Sequence, residues 1–81
     1  MARALFHWDD YNEAKIDAHH LSKREIAHAW AHDLRTDEFE HERQGTYWET
    51  LGVCPSGRVI TIVWRWNVRE GIEGVYVITA Y

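Results

Sequence analysis

The sequence predicts an α+β domain, with two N-terminal helices packed on one face of an antiparallel sheet in the order β-α-α-β-β-β. Three observations carry this expectation. Two helix start signals fall within the stretch Trp8 to Glu25, WDDYNEAKIDAHHLSKRE. The run Arg58 to Asn67, RVITIVWRWN, sorts its side chains with the period of a strand. Turn residues on both sides of it, Pro55-Ser56-Gly57 and then Val68 to Gly74 with glycines at 71 and 74, separate it from two further apolar runs.

Taken in order, Ala4 to Trp8 (ALFHW) reads as a short first strand, with His7 near its end. Asp9 can then cap a first helix, its carboxylate accepting from the free amides of the first turn. That helix is expected over Asp10 to His20, with Asn12, Lys15, Ile16 and His19 on one face at i, i+3, i+4 and i+7. Ser22 and Glu25 form a capping box for a second helix over Lys23 to Asp33. The two helices are joined so tightly that they must form a corner or a hairpin. Ile26, Ala29, Trp30 and Leu34 fall at helical spacing and give the second helix its expected buried stripe.

Thr36 to Gly45 is polar apart from Phe39 and reads as a loop or a weak edge strand. Thr46 to Val53 (TYWETLGV) reads as a strand, and Val75 to Tyr81 (VYVITAY) as the last one. In the strand between them, Ile60, Ile62, Trp64 and Trp66 are assigned to the core face. Val59, Thr61, Val63 and Arg65 are assigned to the other. An uncovered second face would carry Thr61, Arg65 and Thr79 or Tyr81.

Eighty-one residues make one domain, residues 1–81, and a 46% hydrophobic content with five tryptophans is enough to fill its core. No run of 18 apolar residues offers a membrane span, and the N-terminus lacks the pattern of a secretory signal. The lone Cys54 has no partner for an internal disulfide and fits a reducing, cytoplasmic setting, as an ordinary turn residue. Net charge is −4, whereas a protein that grips phosphates usually shows a basic face. The charge is unevenly spread. Asp33, Asp37, Glu38, Glu40 and Glu42 face only Arg35 in the middle of the chain, while Arg43, Arg58, Arg65 and Arg69 outnumber Glu49, Glu70 and Glu73 after it.

Metal-free RNA cleavage needs a base for the 2′-hydroxyl proton, a cation for the charged phosphorane and an acid for the leaving oxygen. Arg65, a charge in the middle of the most regular strand between Trp64 and Trp66, is either an ordinary solvent-facing residue or a phosphate-binding one. Arg58 follows the Gly57 turn and has the same two readings. Asn12 and His19 read first as hydrogen-bonded structural groups. Histidine is nevertheless the residue type suited to proton transfer near neutral pH. His28 and His32 have the i, i+4 spacing of two zinc ligands, but neither HExxH nor CxxC is present, so no metal or other cofactor is expected.

The pattern Trp8-Asp9, Asn12, Lys15-Ile16, His19, Leu21-Ser22 and Glu25 resembles the N-terminal motif of BrnT-type toxins of bacterial type II toxin–antitoxin systems. Tyr47, Leu51-Gly52, Gly57-Arg58-Val59, Ile60 to Trp64 and Val75 to Ala80 resemble the strands of that family in order and spacing. The resemblance implies a RelE-like fold and a ribonuclease that blocks translation by cleaving RNA, free or as ribosome-associated mRNA, until a cognate antitoxin neutralises it. It implies Arg65, Arg58, His19 and Lys15 as catalytic candidates, and Arg58, Arg65, Arg69 and Tyr81 as RNA contacts. Two departures stand out. His20 occupies a position where the family usually has glycine, and Tyr81 stands where it has an arginine followed by a basic C-terminal helix. The competing expectation is a non-catalytic protein-binding domain of the same fold, docking a partner through tryptophans and the acidic segment.

Overall fold

A computed structural model describes residues 3–81, and the elements follow from the signals above with informative exceptions. They are β1 (Phe6–His7), α1 (Asp10–Ala18), α2 (Lys23–Ala31), β2 (Asp33–His41), β3 (Gly45–Val53), β4 (Val59–Arg69) and β5 (Ile72–Ala80). The strands form one sheet in the order β1-β5-β4-β3-β2. Four of them make an antiparallel meander, but β1 pairs with β5 in parallel, Phe6 opposite Val75 and His7 opposite Tyr76. The sheet is therefore mixed, not antiparallel. The helices form a long crossover between β1 and the meander, and such a crossover allows the parallel pairing. No helix of the described residues is long and apolar enough to cross a membrane.

Both helices open with a capping box. Asp9 Oδ1 accepts from the Asn12 amide (2.9 Å) and Asn12 Oδ1 accepts from the Asp9 amide (2.8 Å). Ser22 Oγ and Glu25 Oε1 exchange the same bonds at 3.1 and 3.0 Å. Each box satisfies two amides that the helix cannot. The corner between the helices is closed at His20, which adopts φ 58°. Its amide donates to Asp17 and the Leu21 amide donates back to Ile16 (2.9 and 3.0 Å), the paired bonds of a Schellman ending. Leu21 and Ile16 are both buried, completing that motif with an apolar contact. Histidine thus performs the turn that glycine makes more cheaply.

Both helices are shorter than expected, since α1 stops at Ala18 and α2 at Ala31. Leu34 consequently leaves the helical stripe. It lies in β2, at a register shift between Asp33 and Arg35, and is 64% exposed. The polar stretch after it is an edge strand. Its pairing with β3 supplies order that its own sequence does not. The turn after β4 is also tighter than expected. Arg69 pairs with Ile72, leaving Glu70 (φ 52°) and Gly71 (φ 77°) as a two-residue turn of the type that suits strand twist. Gly74 is no turn residue. A Cβ there would lie 2.6 Å from the His7 ring, so its absence lets β1 approach β5.

The core lies between the helices and one face of the sheet. Ile16, Leu21, Ile26, Ala29 and Trp30 meet Ile60, Ile62, Trp64, Val75 and Val77. Cys54 begins the turn before β4, yet its side chain is part of this core. Thr50, fully buried, accepts from Trp64 Nε1 at 2.9 Å and bonds the Thr36 hydroxyl at 2.8 Å. Among the described residues no buried side-chain nitrogen or oxygen lacks a partner. Trp66 departs from its expected place. It lies on the core side of β4, beyond the reach of α2, and is 49% exposed.

Candidate functional site

Side chains on the second face of the sheet are ordered by strand register. Arg65 lies opposite Tyr76, Val63 opposite Thr79, and Thr61 is joined to Tyr81 by two backbone bonds of 2.7 and 3.0 Å. Helix α1 packs against β5, beside the strand's second half where β1 has ended. Tyr11, Lys15 and His19 recur every four residues along it, so they form one stripe at the border of this face. Asn12 and Ile16 occupy the neighbouring stripe and are buried. The expected shared face of Asn12, Lys15, Ile16 and His19 therefore splits, because it spans the boundary between core and solvent.

Arg65 is half-buried and its guanidinium lies 4.6 Å from the centre of the Tyr76 ring. The two line a cavity of about 440 Å³ with Tyr11, Gln44 and Ile78. Lys15 Nζ stands 5.3 Å from the centre of the Tyr11 ring. Such contacts place a cation against the negative face of an aromatic ring. Tyr76 donates its hydroxyl proton to the Asp9 carboxylate, at 3.0 and 3.2 Å. Burial, followed by that carboxylate, raises the Tyr76 pKa and keeps the phenol protonated. The Asn12 amide holds Asp9 below the ordinary carboxylate range, with the Tyr76 hydroxyl and the Arg69 charge adding to it.

At the far end of the α1 stripe three candidates meet. Arg58 Nη1 and Nη2 each donate to the His19 carbonyl at 3.3 Å, and the His19 ring lies 6.1 Å from that of Tyr81. Arg58 here serves the carbonyl end of α1, where a cation is favoured. Arg69 is placed elsewhere. It donates to the Trp8 carbonyl at 2.7 Å and tethers the chain entering α1. The candidates thus fall into an Arg65–Lys15 group, an Arg58–His19–Tyr81 group and a separate Arg69. Arg58 and Arg69 already hold backbone carbonyls.

Sequence reasoning missed Tyr76 and Tyr11. Tyr76 had a signal, because it alternates with the apolar Val75 and Val77 and so had to face away from the core. Tyr11 sits one turn before Lys15 and needed only the helix to be extended backwards. His28 and His32 stack at 4.1 Å, and each uses Nδ1 on a backbone carbonyl, Val53 and His28 respectively. Among the described residues no group of three or more His, Cys, Asp or Glu side chains is placed to hold a metal ion. Comparison with protein families, with curated proteins and with solved structures finds no match to this chain.

Proposed function

We propose that this chain is a BrnT-like toxin, a metal-independent ribonuclease that binds single-stranded RNA along the open sheet face and is neutralised by a cognate antitoxin. The observation that carries the reading is the pairing of Arg65 with Tyr76 beside a cavity of about 440 Å³, on the face the helices leave free. That volume is in the range of nucleotide-sized sites. An arginine beside aromatic rings offers a phosphate contact together with surfaces on which bases stack. From Tyr11 to His19 the α1 stripe runs for about 12 Å at the helical rise, which extends the surface along a short strand of RNA. In this reading Arg65 holds the phosphate and stabilises its developing charge. Lys15, in the same group as Arg65, is the proton-transfer candidate there, while His19 belongs to the Arg58–Tyr81 group farther along the stripe. Arg58 positions His19 through its carbonyl, and Tyr81 stacks beyond it.

The non-catalytic protein-binding domain is the second reading. It is favoured by the net charge of −4 and by the exposure of Trp66 on the other side of the sheet.

Expression under a tight inducible promoter separates the two. Growth arrest with decay of total RNA is expected, together with cleavage by the purified chain in the presence of a chelator. Arg65→Ala should lower that cleavage by about 100-fold, the scale for losing one charge-stabilising group, with an unchanged circular dichroism spectrum. Normal growth and intact RNA from soluble, folded protein would overturn the ribonuclease reading.

A further inference from the structure

The open sheet face continues past the Arg65 cavity onto β3 and β2. There Phe39 lies opposite Tyr47 in register, with ring centres 5.4 Å apart and planes inclined by 17°, an offset stack across the two strands. Trp48 and Thr50 face the core, so alternation along β3 puts Tyr47 and its partner Phe39 on the opposite face. Trp48 pairs with Trp64, so Tyr47 and Arg65, one residue further along, are neighbours on adjacent strands. Arg65 in turn lies opposite Tyr76, with its guanidinium over that ring. Phe39, Tyr47, Arg65 and Tyr76 thus form one row across β2, β3, β4 and β5. Gln44, in the turn that joins β2 to β3, lines the Arg65 cavity.

The pair has no apolar neighbour along its own strands. Asp37 and His41 flank Phe39 on the same face of β2, and Gly45 and Glu49 flank Tyr47 on β3. Asp37 is ion-paired with Arg35 at 2.7 Å. An apolar area of two rings suits one nucleobase and gives an apolar protein segment little to cover. The carboxylates beside it disfavour a phosphate, so the neutral base is the part of a nucleotide that fits.

We propose that Phe39 is the stacking platform for the base next to the nucleotide whose phosphate Arg65 holds. The inference rests on the RNA-binding reading of this face and adds a second subsite to it. The backbones of β2 and β4 lie two strand spacings apart, about 10 Å, a gap that two linked nucleotides span. The ligand is a single strand, because a duplex keeps its bases paired inside. Stacking on an aromatic ring tolerates any base. The subsite therefore adds affinity and sets the path of the strand, from the cavity to the sheet edge.

The probe is a hexamer of 2′-O-methyladenosine, which lacks the free hydroxyl that cleavage needs. It is titrated into the intact chain and followed by the fluorescence anisotropy of an end label, beside a strand of the same length without bases. The parent chain should bind the hexamer more tightly than the abasic strand. Phe39→Leu keeps an apolar cover on Tyr47 but removes the ring. It should weaken hexamer binding about fivefold or more, the scale of one lost base stack, and leave the abasic strand unaffected. Phe39→Tyr should retain the parent's affinity, and Arg65→Ala should weaken both strands. Unchanged hexamer binding by Phe39→Leu, with weakening by Arg65→Ala, would overturn the subsite alone and leave the RNA reading standing. Equal weakening of both strands by Phe39→Leu would overturn it in favour of a purely structural ring. A parent chain that binds neither strand would overturn the RNA reading and the subsite with it.

Discussion

The two helices are each nine residues long and each begins with a capping box, yet different forces hold them in place. Helix α2 is held chiefly by packing, with polar ties at its end between His28 Nδ1 and the Val53 carbonyl and between the Val53 amide and the His32 carbonyl. Ile26, Ala29 and Trp30 are buried against β3 and β4, and Gly52 lets the α2 backbone come close enough for that contact. Helix α1 buries only Asn12 and Ile16 and lies at the sheet border. It is fastened by polar ties at its two ends: Asn12 to the His7 carbonyl and Asp9 to Tyr76 at the start, and Arg58 to the His19 carbonyl at the finish. Packing gives α2 a dry face with no chemistry to offer. Polar fastening leaves α1 with an exposed stripe of Tyr11, Lys15 and His19, the set from which a site can be built.

This contrast can be broken most severely at Gly52. A Cβ there would lie 2.1 Å from the Ala29 carbonyl oxygen, so Gly52→Ala must push α2 off the sheet. We expect a loss of about 3 kcal/mol in urea unfolding, with burial of Trp30 reduced in its fluorescence. An unaltered midpoint would mean that α2 does not rest on β3 as described.

Asn12→Ala tests the other mode. It removes a fully buried side chain that bonds the His7 carbonyl at 3.0 Å and closes the capping box. The expected cost is about 2 kcal/mol, accompanied by faster amide exchange in the first turn of α1 but not in α2. Equal exchange in both helices would contradict separate fastening.

His20→Gly sharpens the comparison with a gain. The positive φ at this corner strains histidine and not glycine, so about 1 kcal/mol of stabilisation is expected. Thermal unfolding would register it as a rise of about 4–8 °C.

The smallest effect is that of pH. Asp9 has a folded pKa depressed below its unfolded value, so its contribution is complete above about pH 4 and is lost as pH falls through the depressed value. Asp9→Asn keeps the capping oxygen but not the charge. Its deficit relative to the parent chain should therefore shrink on acidification below about pH 4, as read from urea midpoints. A constant deficit would remove the charge from the explanation.

Much of this architecture was legible because it is encoded locally. Both helix starts and the period-2 strand from Val59 are written in neighbouring side chains, and short-range hydrogen bonds and sterics enforce them. The same alternation assigned Thr61 and Arg65 to the second sheet face. The edge strand β2 was less legible, because its acidic residues form a strand only through pairing with β3. Leu34 and Trp66 were misplaced for a related reason, since each lies where a helix ends sooner than periodicity alone can tell.

Composition and periodicity by themselves determined an α+β chain with a tryptophan-rich core and an arginine aimed away from it. Only the tertiary structure decided that β1 runs parallel to β5, that α1 borders the open face, and that Tyr76 and Tyr11 join Arg65 at one cavity. The physical reason is distance along the chain. Caps and alternation act over a few residues, whereas Tyr76 meets Asp9 across 67 positions through a register that only the folded sheet fixes.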